Sequence, residues 1–267
     1  MLINRSLPLA LVLATLAVPA LAQEMAPHRA VYTVSPMERG KPRSTASIGT
    51  YAYELRQTCD GYVINQRMRI EIEGGRTPIV SEQQSQMTES RDGKKFHFEH
   101  RSTANGKQTS LFKGEAMLDG NIGQARFVDP EGQSVALPAE TMFPVSMSRI
   151  TLQHAKAGDG GFDGLFFFGD KAKPPQSANV LIGKVPKRLA DLPIPAGAGA
   201  LVEGHERIYF RAGFFESGSK GQGEPVFEMS SVTLDNGIEL YGTNEQADTA
   251  IEYRLTRLEA LPKPTCN

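Results

Sequence analysis

The chain has 267 residues, with 29 lysines and arginines against 30 aspartates and glutamates, so its formal net charge is −1. A charge this close to zero gives no electrostatic attraction toward nucleic acid and excludes the strongly basic classes of protein. Beyond the N-terminal segment, no stretch is long and apolar enough to cross a bilayer as a helix. We therefore expect no nucleic-acid partner and no transmembrane span in the mature protein.

The N-terminus predicts an export signal. Arg5 precedes an apolar run, Leu7 to Val18, that is too short to cross a bilayer, and Ala20-Leu21-Ala22 offers the small residues of a signal peptidase site. We expect residues 1–22 to be a cleaved signal peptide and the mature chain to be exported. An uncleaved membrane anchor is the alternative, although polar residues follow directly and no stop-transfer pattern is present.

The mature chain opens with strands that alternate between apolar and polar side chains. His28 to Val34 is the first of them, and Tyr51 to Glu73 predicts a strand, a turn and a strand, each with one apolar and one charged face. Asp60 and Gly61 are assigned to the turn, since both residues tolerate the positive φ of a tight hairpin. Cys59 then lies at the tip of this hairpin.

The two cysteines of the chain, Cys59 and Cys266, predict one disulfide in an exported protein. This bond would tie the C-terminus to the hairpin. Closing a loop of roughly 200 residues would remove about 5 kcal/mol of unfolded-state freedom, as an upper value. Two free thiols, or an intermolecular bridge from Cys266, are the alternatives that the residues leave open.

Closely spaced turn signals follow the hairpin. Pro78 to Met87 and Lys94 to Arg101 predict two more strands, and in the second of them Phe96, Phe98 and His100 face the same way. Short strands are then separated by Asn105-Gly106, Lys113-Gly114, Asp119-Gly120 and Asp129-Pro130-Glu131-Gly132. Regular turns without intervening helices are typical of an antiparallel meander.

One helix is predicted, from Thr141 to Ala157. Pro144 suits the first turn, Thr141 is the expected cap, and Gly158 is placed to end the helix. An apolar stripe at helical spacing favours packing against the sheet over a cofactor site, and it consists of Phe143, Met147, Ile150 and His154.

The second half of the chain contains a very apolar run and a long irregular segment. Leu165-Phe166-Phe167-Phe168 predicts a buried strand or the wall of a groove. Lys184 to Gly204, rich in Pro, Gly and Ala, is interpreted as a surface connection within one sheet, because strands resume after it. These strands are Ile208 to Phe215, Pro225 to Leu234, Ile238 to Tyr241 and Ala250 to Leu258, with a tight turn at Asp235-Asn236-Gly237. Residues 23–267 are thus expected to form a single mainly β domain, an antiparallel sheet of about fourteen strands with one principal α-helix.

The sequence contains no pattern that indicates catalysis. The five histidines have no partners at zinc-ligand spacing, no Gly-x-Ser-x-Gly turn is present, and both cysteines are expected to be oxidised. Asp159 and Asp163 lack the dense oxygen spacing of a calcium loop. We therefore predict a protein that is not an enzyme and has no metal and no cofactor.

Short motifs are distributed over nearly the whole mature chain: Pro27-His28-Arg29-Ala30-Val31-Tyr32, Cys59-Asp60-Gly61, Gln66-Arg67, Thr88-Glu89-Ser90-Arg91-Asp92-Gly93, Phe96, Phe98, Leu137-Pro138, Phe143-Pro144 and Pro264-Thr265-Cys266. In this combination the chain resembles the cell envelope integrity proteins of the EipB type, which are periplasmic proteins of Gram-negative bacteria. The resemblance implies a spiral-like sheet, one internal disulfide and a role in maintaining the envelope, without catalytic residues. Two positions depart from the family pattern. Tyr62 replaces the usual Trp and keeps an aromatic ring, whereas Met147 stands approximately where a His is usual, which argues against an essential histidine there.

Two functions compete at this point. The preferred one is a periplasmic binding or scaffold protein that contacts envelope proteins, with Phe166, Phe167, Phe168 and Tyr62 as the candidate binding surface. The alternative is a carrier of lipids or lipoproteins with a concave β-surface, where acyl chains gain about 0.8 kcal/mol per buried CH₂. A large, continuous apolar cavity would favour the carrier. The sequence leaves open whether the phenylalanines line a cleft or fill a closed core.

Overall fold

The computed structural model describes residues 24–37, 47–72, 77–120, 122–218, 223–246 and 249–266. The predicted signal peptide at residues 1–22 lies outside these ranges. Glu73, the last residue of the predicted hairpin, also lies outside them.

Within these ranges the chain is mainly β, as the sequence predicts, with fifteen strands and two helices. The strands are β1 (His28–Pro36), β2 (Ser47–Gln57), β3 (Gly61–Ile72), β4 (Ile79–Ser90), β5 (Lys95–Ala104), β6 (Lys107–Asp119), β7 (Ile122–Asp129), β8 (Ser134–Pro138), β9 (Thr141–Met142), β10 (Gly161–Phe166), β11 (Gln176–Gly183), β12 (Arg207–Phe215), β13 (Phe227–Leu234), β14 (Glu239–Gln246) and β15 (Ala250–Ala260). The helices are α1 (Pro144–Ala157) and α2 (Gly199–Val202), and Lys187–Leu189 forms a 3₁₀ turn. The two-residue β9 and the strand β11 carry no clear sequence signal and were not predicted.

All fifteen strands belong to one sheet, in the order β8-β7-β6-β5-β4-β3-β2-β1-β15-β14-β13-β12-β11-β10-β9. The first and last strands of the chain pair antiparallel at its centre, and β9 runs parallel to β10 at one end. The two end strands, β8 and β9, are separated in the chain only by Ala139 and Glu140. The sheet therefore curls back toward its own beginning and forms a nearly closed, barrel-like wall.

The hairpin of β2 and β3 has a different turn from the predicted one. Its loop is Thr58-Cys59-Asp60, and neither Asp60 nor Gly61 has a positive φ. Gly61 is instead the first residue of β3, where an added Cβ would overlap the carbonyl oxygen of Glu89 on β4. Glycine is needed here because two strands approach closely, not because the turn is left-handed.

A disulfide joins Cys59, at the tip of this hairpin, to Cys266. Their Cα atoms are 5.6 Å apart, and they are separated by 207 positions in the sequence. The last residues reach this position by following the start of β1, where the Leu261 N–H donates to the carbonyl oxygen of Pro27 at 3.1 Å. The bond thus fastens the C-terminal end to the N-terminal half of the sheet.

The interior contains three clusters of buried side chains. The first is built on β2 to β8 and α1 around phenylalanines, the second on β1 and β13 to β15, and the third on β10 to β12 together with Met147 of α1. Lys184 to Gly204 packs onto the second cluster, since Leu189, Leu192 and Ala198 are buried there. The segment joins β11 to β12 within one sheet, as the sequence predicts, and its buried apolar residues also cover part of the core.

The start of α1 is capped from the sheet. Pro144 occupies the first turn as predicted, but Thr141 does not cap the helix, because it pairs with Leu165 as part of β9. The Glu89 carboxyl supplies the cap: Oε2 accepts from the Val145 N–H at 2.7 Å, and Oε1 accepts from the Ser146 N–H at 2.8 Å. A buried acid on β4 thereby satisfies the free N–H groups of the first turn.

The buried side of α1 also differs from the predicted stripe. Val145, Met147, Thr151 and Leu152 are buried, whereas Ile150 and His154 are only partly covered. The helix ends as predicted at Gly158, which has a left-handed φ of 79°. The difference arises because the buried residues of α1 pack into two clusters, Val145 and Leu152 into the first and Met147 into the third.

The disulfide should contribute measurably to stability. Cys59→Ser, Cys266→Ser and the double variant should all melt lower than the wild type by the same several degrees or more, because the bond restricts the unfolded chain by up to about 5 kcal/mol. Thermal unfolding followed by circular dichroism, with and without reductant, measures this effect. Thiol mapping that finds both cysteines free under non-reducing conditions would contradict the pairing.

The Glu89 cap gives a second stability prediction. Glu89→Ala should lower the free energy of unfolding by about 2 to 4 kcal/mol, because three donors lose their acceptor in a buried site. Glu89→Gln, which keeps one acceptor oxygen, should cost less. Glu115→Ala on β6, an exposed position, is the matched control in urea denaturation. Equal effects of the Glu89 and Glu115 variants would show that the cap is unimportant.

Candidate functional site

A cavity of about 210 Å³ lies inside the barrel-like wall, under α1. Strands from both ends of the chain line it, because β1 and β15 pair at the centre of the sheet. Its lining residues are Met25, His28, Tyr32, Tyr51, Tyr53, Ile64, Gln66, Pro144, Val145, Met147, Ser148, Thr151, Leu152, Phe168, Phe210, Met229, Thr233, Gly237, Glu239 and Tyr253. The wall is thus aromatic and apolar, with a few polar groups.

Four tyrosines form one wall of the cavity. Tyr32 of β1 pairs across the sheet with Tyr51 of β2, and their rings stack with centroids 5.3 Å apart. Tyr253 of β15 meets both rings edge-on, at 5.6 and 5.5 Å, and Tyr53 adjoins Tyr51 at 6.4 Å. Burial raises the pKa of all four phenols, so they are neutral at physiological pH.

The position of Tyr253 depends on a glycine opposite it. Gly242 of β14 pairs with Tyr253 across the sheet, and an added Cβ at this position would overlap the phenol ring. A larger residue would push the ring toward the cavity. Gly242 therefore makes the space that lets the tyrosine cluster pack.

Glu239, the first residue of β14, brings a carboxyl group to this wall. Its Oε1 accepts from the Tyr253 hydroxyl at 3.3 Å, and the Tyr32 hydroxyl donates to its backbone oxygen at 3.0 Å. The side chain is enclosed by protein but keeps part of its surface open to the cavity. Burial raises the pKa of Glu239 to about 7, against the lowering effect of hydrogen bonds from Ser231 and Tyr253.

A β-bulge determines the direction of this side chain. Val232 pairs with Tyr241 and Thr233 with Glu239, so Leu240 is an extra residue in β14. Leu240 and Tyr241 are both buried although they are consecutive. Such a bulge redirects neighbouring side chains, and here it accompanies a carboxyl that faces inward.

The basic group nearest the cavity cannot neutralise Glu239. The Nδ1 atom of His28 lies 2.7 Å from the carbonyl oxygen of Ala26 and donates to it, and burial lowers the pKa of His28. The ring is therefore neutral at pH 7. Among the described residues that line the cavity, none is a lysine or an arginine.

The other histidines are dispersed. His100 is partly buried between the Ser85 hydroxyl and the Phe168 carbonyl oxygen, each 2.8 Å from a ring nitrogen, and desolvation lowers the pKa of His100. His154 bonds to Asp159, and His205 to Asp235. In the part of the chain that the structure describes, no three His, Cys, Asp or Glu side chains are grouped so that they could hold a metal ion.

The predicted binding surface is largely buried. Tyr62, Phe166 and Phe167 are only 1%, 1% and 3% exposed. Phe166 belongs to the third cluster and Phe167 to the first, because successive residues leaving β10 point to opposite sides. Of the four, Phe168 lines the cavity under α1, and Phe166 and Phe167 contribute to the lining of a small pocket of about 50 Å³.

The inward carboxyl could not be recognised from the sequence. Glu239 stands between Ile238 and Leu240, and this alternation is typical of a polar side chain on the outer face. Its position on the cavity wall depends on strand contacts that are distant in the sequence. A buried, raised-pKa carboxyl in a cavity is a candidate for a binding or catalytic site on physical grounds.

Comparison with known proteins agrees with this fold. The model of the EipB-like family matches residues 19–262. The chain belongs to the EipB-like family. The cell envelope integrity protein EipB of Brucella abortus (strain 2308) is 23% identical over 246 residues, which cover 90% of this chain and 86% of that protein. A crystal structure of a beta-barrel-like protein of a domain of unknown function, also from Brucella abortus, superposes with a TM-score of 0.79 at 20% identity, covering 90% of this chain and 100% of the other.

The match to the family model confirms the resemblance that the short motifs indicated. The superposition on the crystal structure confirms the mainly β architecture. In the described ranges, no helix combines the length and apolarity that crossing a membrane requires.

The raised pKa of Glu239 predicts a pH-dependent stability. Between about pH 4.5, its ordinary pKa, and about pH 7, the folded state keeps a proton that the unfolded state has lost. The free energy of unfolding should therefore fall as the pH rises through this window, by up to about 3 kcal/mol from this group.

Glu239→Gln should abolish this contribution, so that the variant equals the wild type at about pH 4, below the unfolded pKa, and exceeds its stability at about pH 8. Urea denaturation at several pH values gives the difference between variant and wild type, in which the effects of His28 and Glu89 cancel. Glu115→Gln on the outer surface is the control. A difference independent of pH would show that Glu239 titrates normally.

Proposed function

We propose that this protein supports the integrity of the cell envelope as a non-catalytic periplasmic protein that binds envelope proteins. The observation that carries the proposal is the family match over residues 19–262, with a relative named for cell envelope integrity that aligns over 90% of the chain. The predicted signal peptide and the Cys59–Cys266 disulfide support export to an oxidising compartment.

The interior offers little support for lipid carriage. Its cavity of about 210 Å³ is below the range of about 300 to 1,000 Å³ that is usual for drug-sized ligands. An acyl chain there would lie against the Glu239 carboxyl, and burying a polar group without a partner is unfavourable. The space around the cavity is filled by the three core clusters. These features favour contacts on the outer surface.

The outer face of β1 to β5 has a polar depression of about 690 Å³. Basic and acidic side chains alternate across it, with Arg29 bonded to Glu54 at 2.6 Å and Arg67 to Glu82 at 3.2 Å. Arg101 of β5 is also exposed there. Mixed charges of this kind give orientation and specificity to a protein contact. We assign the contact with envelope proteins to this polar depression.

A second candidate function, carriage of acyl chains or lipoproteins, is favoured by one apolar groove of about 710 Å³ near the edge strand β8. Ile122 is 75% exposed beside it, and Val135, Leu137, Leu165 and Pro174 contribute to its lining. Exposed apolar grooves are typical of sites that bind lipid or protein. Native mass spectrometry of protein purified from its own periplasm tests this function, because a carrier should retain a lipid.

The proposed function predicts the phenotype of defined variants. Deletion should sensitise cells to detergents and cell-wall antibiotics, and the full-length gene should restore resistance, whereas a version lacking residues 1–22 should not. Arg67→Glu with Arg101→Glu should weaken protection without changing the melting temperature, because exposed ion pairs contribute little stability. Lys156→Glu with Lys171→Glu, an equal charge change at two exposed positions outside the depression, is the control.

Two outcomes would count against this function. Full protection by the double charge reversal would remove the polar depression as the contact surface. Loss of protection in an alanine variant of any histidine, at an unchanged melting temperature, would replace binding by catalysis at that residue. The residues concerned are His28, His97, His100, His154 and His205.

A further inference from the structure

Glu239 lacks the counter-charge that a buried carboxylate normally has. Buried acids are usually paired with a base or neutralised by several donors. Its carboxyl accepts hydrogen bonds from the hydroxyls of Ser231 and Tyr253, the latter a long one at 3.3 Å, and neither donor carries a charge. His28, the basic side chain nearest the cavity, is turned toward the carbonyl oxygen of Ala26. A negative charge at Glu239 would thus be unbalanced by any described residue of the cavity wall.

The surroundings of this carboxyl are rich in aromatic rings. Tyr51 and Tyr53 are enclosed by protein and keep open surface on the cavity side. Tyr253 completes the wall next to Glu239, and Phe168 and Phe210 lie among the other lining residues. Faces of aromatic rings attract cations, and Tyr is effective in this role.

We propose that the interior cavity is a binding site for a small organic cation with an ammonium or methylated ammonium head, held by the Glu239 carboxyl and the rings of Tyr51, Tyr53 and Tyr253. The inference does not depend on the proposed envelope function. The carboxylate supplies the missing charge balance, and the rings supply cation–π attraction without adding charge. Met147 and Met229 on the wall offer polarizable contacts for methyl groups.

The size of the cavity limits the ligand. A volume of 210 Å³ corresponds to about seven water molecules of the liquid, so the site holds a head group and not a lipid. An anionic ligand is disfavoured, since the described lining has no lysine or arginine to receive it. An apolar ligand would leave the carboxyl with only its neutral hydroxyl donors, Ser231 and Tyr253, and would supply no counter-charge in the cavity.

The protonation of Glu239 makes the proposed affinity depend on pH. Because burial raises the pKa of this carboxyl to about 7, a cation must displace a proton below that pH. The titratable groups that face it are His28 and Tyr32 on β1, Tyr51 and Tyr53 on β2, and Tyr253 on β15. The polar groups that strand β13 contributes are the hydroxyls of Ser231 and Thr233, which do not titrate. The described cavity-lining residues of α1 carry no charge.

Isothermal titration with choline tests the proposal. The neutral comparison is 3,3-dimethyl-1-butanol, in which a carbon atom replaces the nitrogen of choline. Choline should bind at about pH 8 and bind about tenfold more weakly at about pH 6, one unit below the pKa of Glu239. The neutral analogue should bind at least about tenfold more weakly than choline at about pH 8, because it lacks the charge. Each titration is repeated on protein refolded in the presence of the probe, so that slow entry under α1 is not read as absence of binding.

Two variants locate the site. Glu239→Gln should lose choline binding by about tenfold or more while remaining folded, and Tyr51→Leu should weaken it several-fold. Glu115→Gln on the outer face of β6 should bind as the wild type does. The proposal is overturned if choline does not bind the native or the refolded protein, if the neutral analogue binds equally well, or if binding survives in Glu239→Gln.

Discussion

The pairing of β1 with β15 is the contact on which the rest of the structure depends. Nine residues of β1, from His28 to Pro36, pair with residues Ala260 to Ile251 at the centre of a fifteen-stranded sheet. From this seam the sheet grows outward in both directions, each strand pairing with its neighbour in the chain. Because the pairing joins the two ends of the chain, it carries a large loop-closure entropy and belongs to the slow, non-local class of contacts. The Cys59–Cys266 disulfide adds a covalent link between the β2–β3 hairpin and the residues that follow β15.

The seam also creates the interior site. A β-bulge lies within it, since Val31 pairs with Arg257 and Tyr32 with Leu255, and the extra residue Thr256 donates its hydroxyl to the carbonyl oxygen of Val31 at 2.9 Å. A second bulge lies beside Glu239. Bulges bend strands and re-aim side chains, so both irregularities adjoin residues that line the cavity.

The local elements could be predicted from the sequence, whereas the contacts that join them could not. Alternating side chains located the β2–β3 hairpin and the strands from β12 to β15, and Pro144 with Gly158 located α1 closely. These signals act over a few residues. The Glu89 cap, by contrast, joins residues 56 positions apart, and a buried glutamate in a polar strand resembles a solvated one. Strand β11 gives only a weak sequence signal, because the Pro- and Lys-rich segment before it and the Pro-rich connection after it obscure its short alternation of apolar and polar side chains.

The packing partners of interior side chains could not be predicted either, because they also depend on contacts between residues that are far apart in the sequence. The run Leu165-Phe166-Phe167-Phe168 indicated burial correctly, but only the position of β10 in the sheet decides that Phe166 and Phe167 enter two separate clusters. Tyr62 showed the same ambiguity. An aromatic residue on an amphipathic strand fits a core and a binding surface equally well, and its exposed fraction depends on what packs against the strand from elsewhere in the chain.

The contacts of Glu89 and Glu239 distinguish a glutamate that stabilises the fold from one that can bind a ligand. Glu89 receives two backbone N–H groups at 2.7 and 2.8 Å and the Ser146 hydroxyl, so its charge is compensated by the first turn of α1. Glu239 accepts hydrogen bonds from two neutral hydroxyls, those of Ser231 and of Tyr253, the latter at 3.3 Å, and its side chain faces the cavity. Burial raises the pKa of both groups, and the shift alone does not distinguish them. The distinction comes from the partners: a carboxyl whose hydrogen bonds are already satisfied holds the fold together, whereas one that is enclosed, weakly bonded and open to a cavity can still bind a ligand.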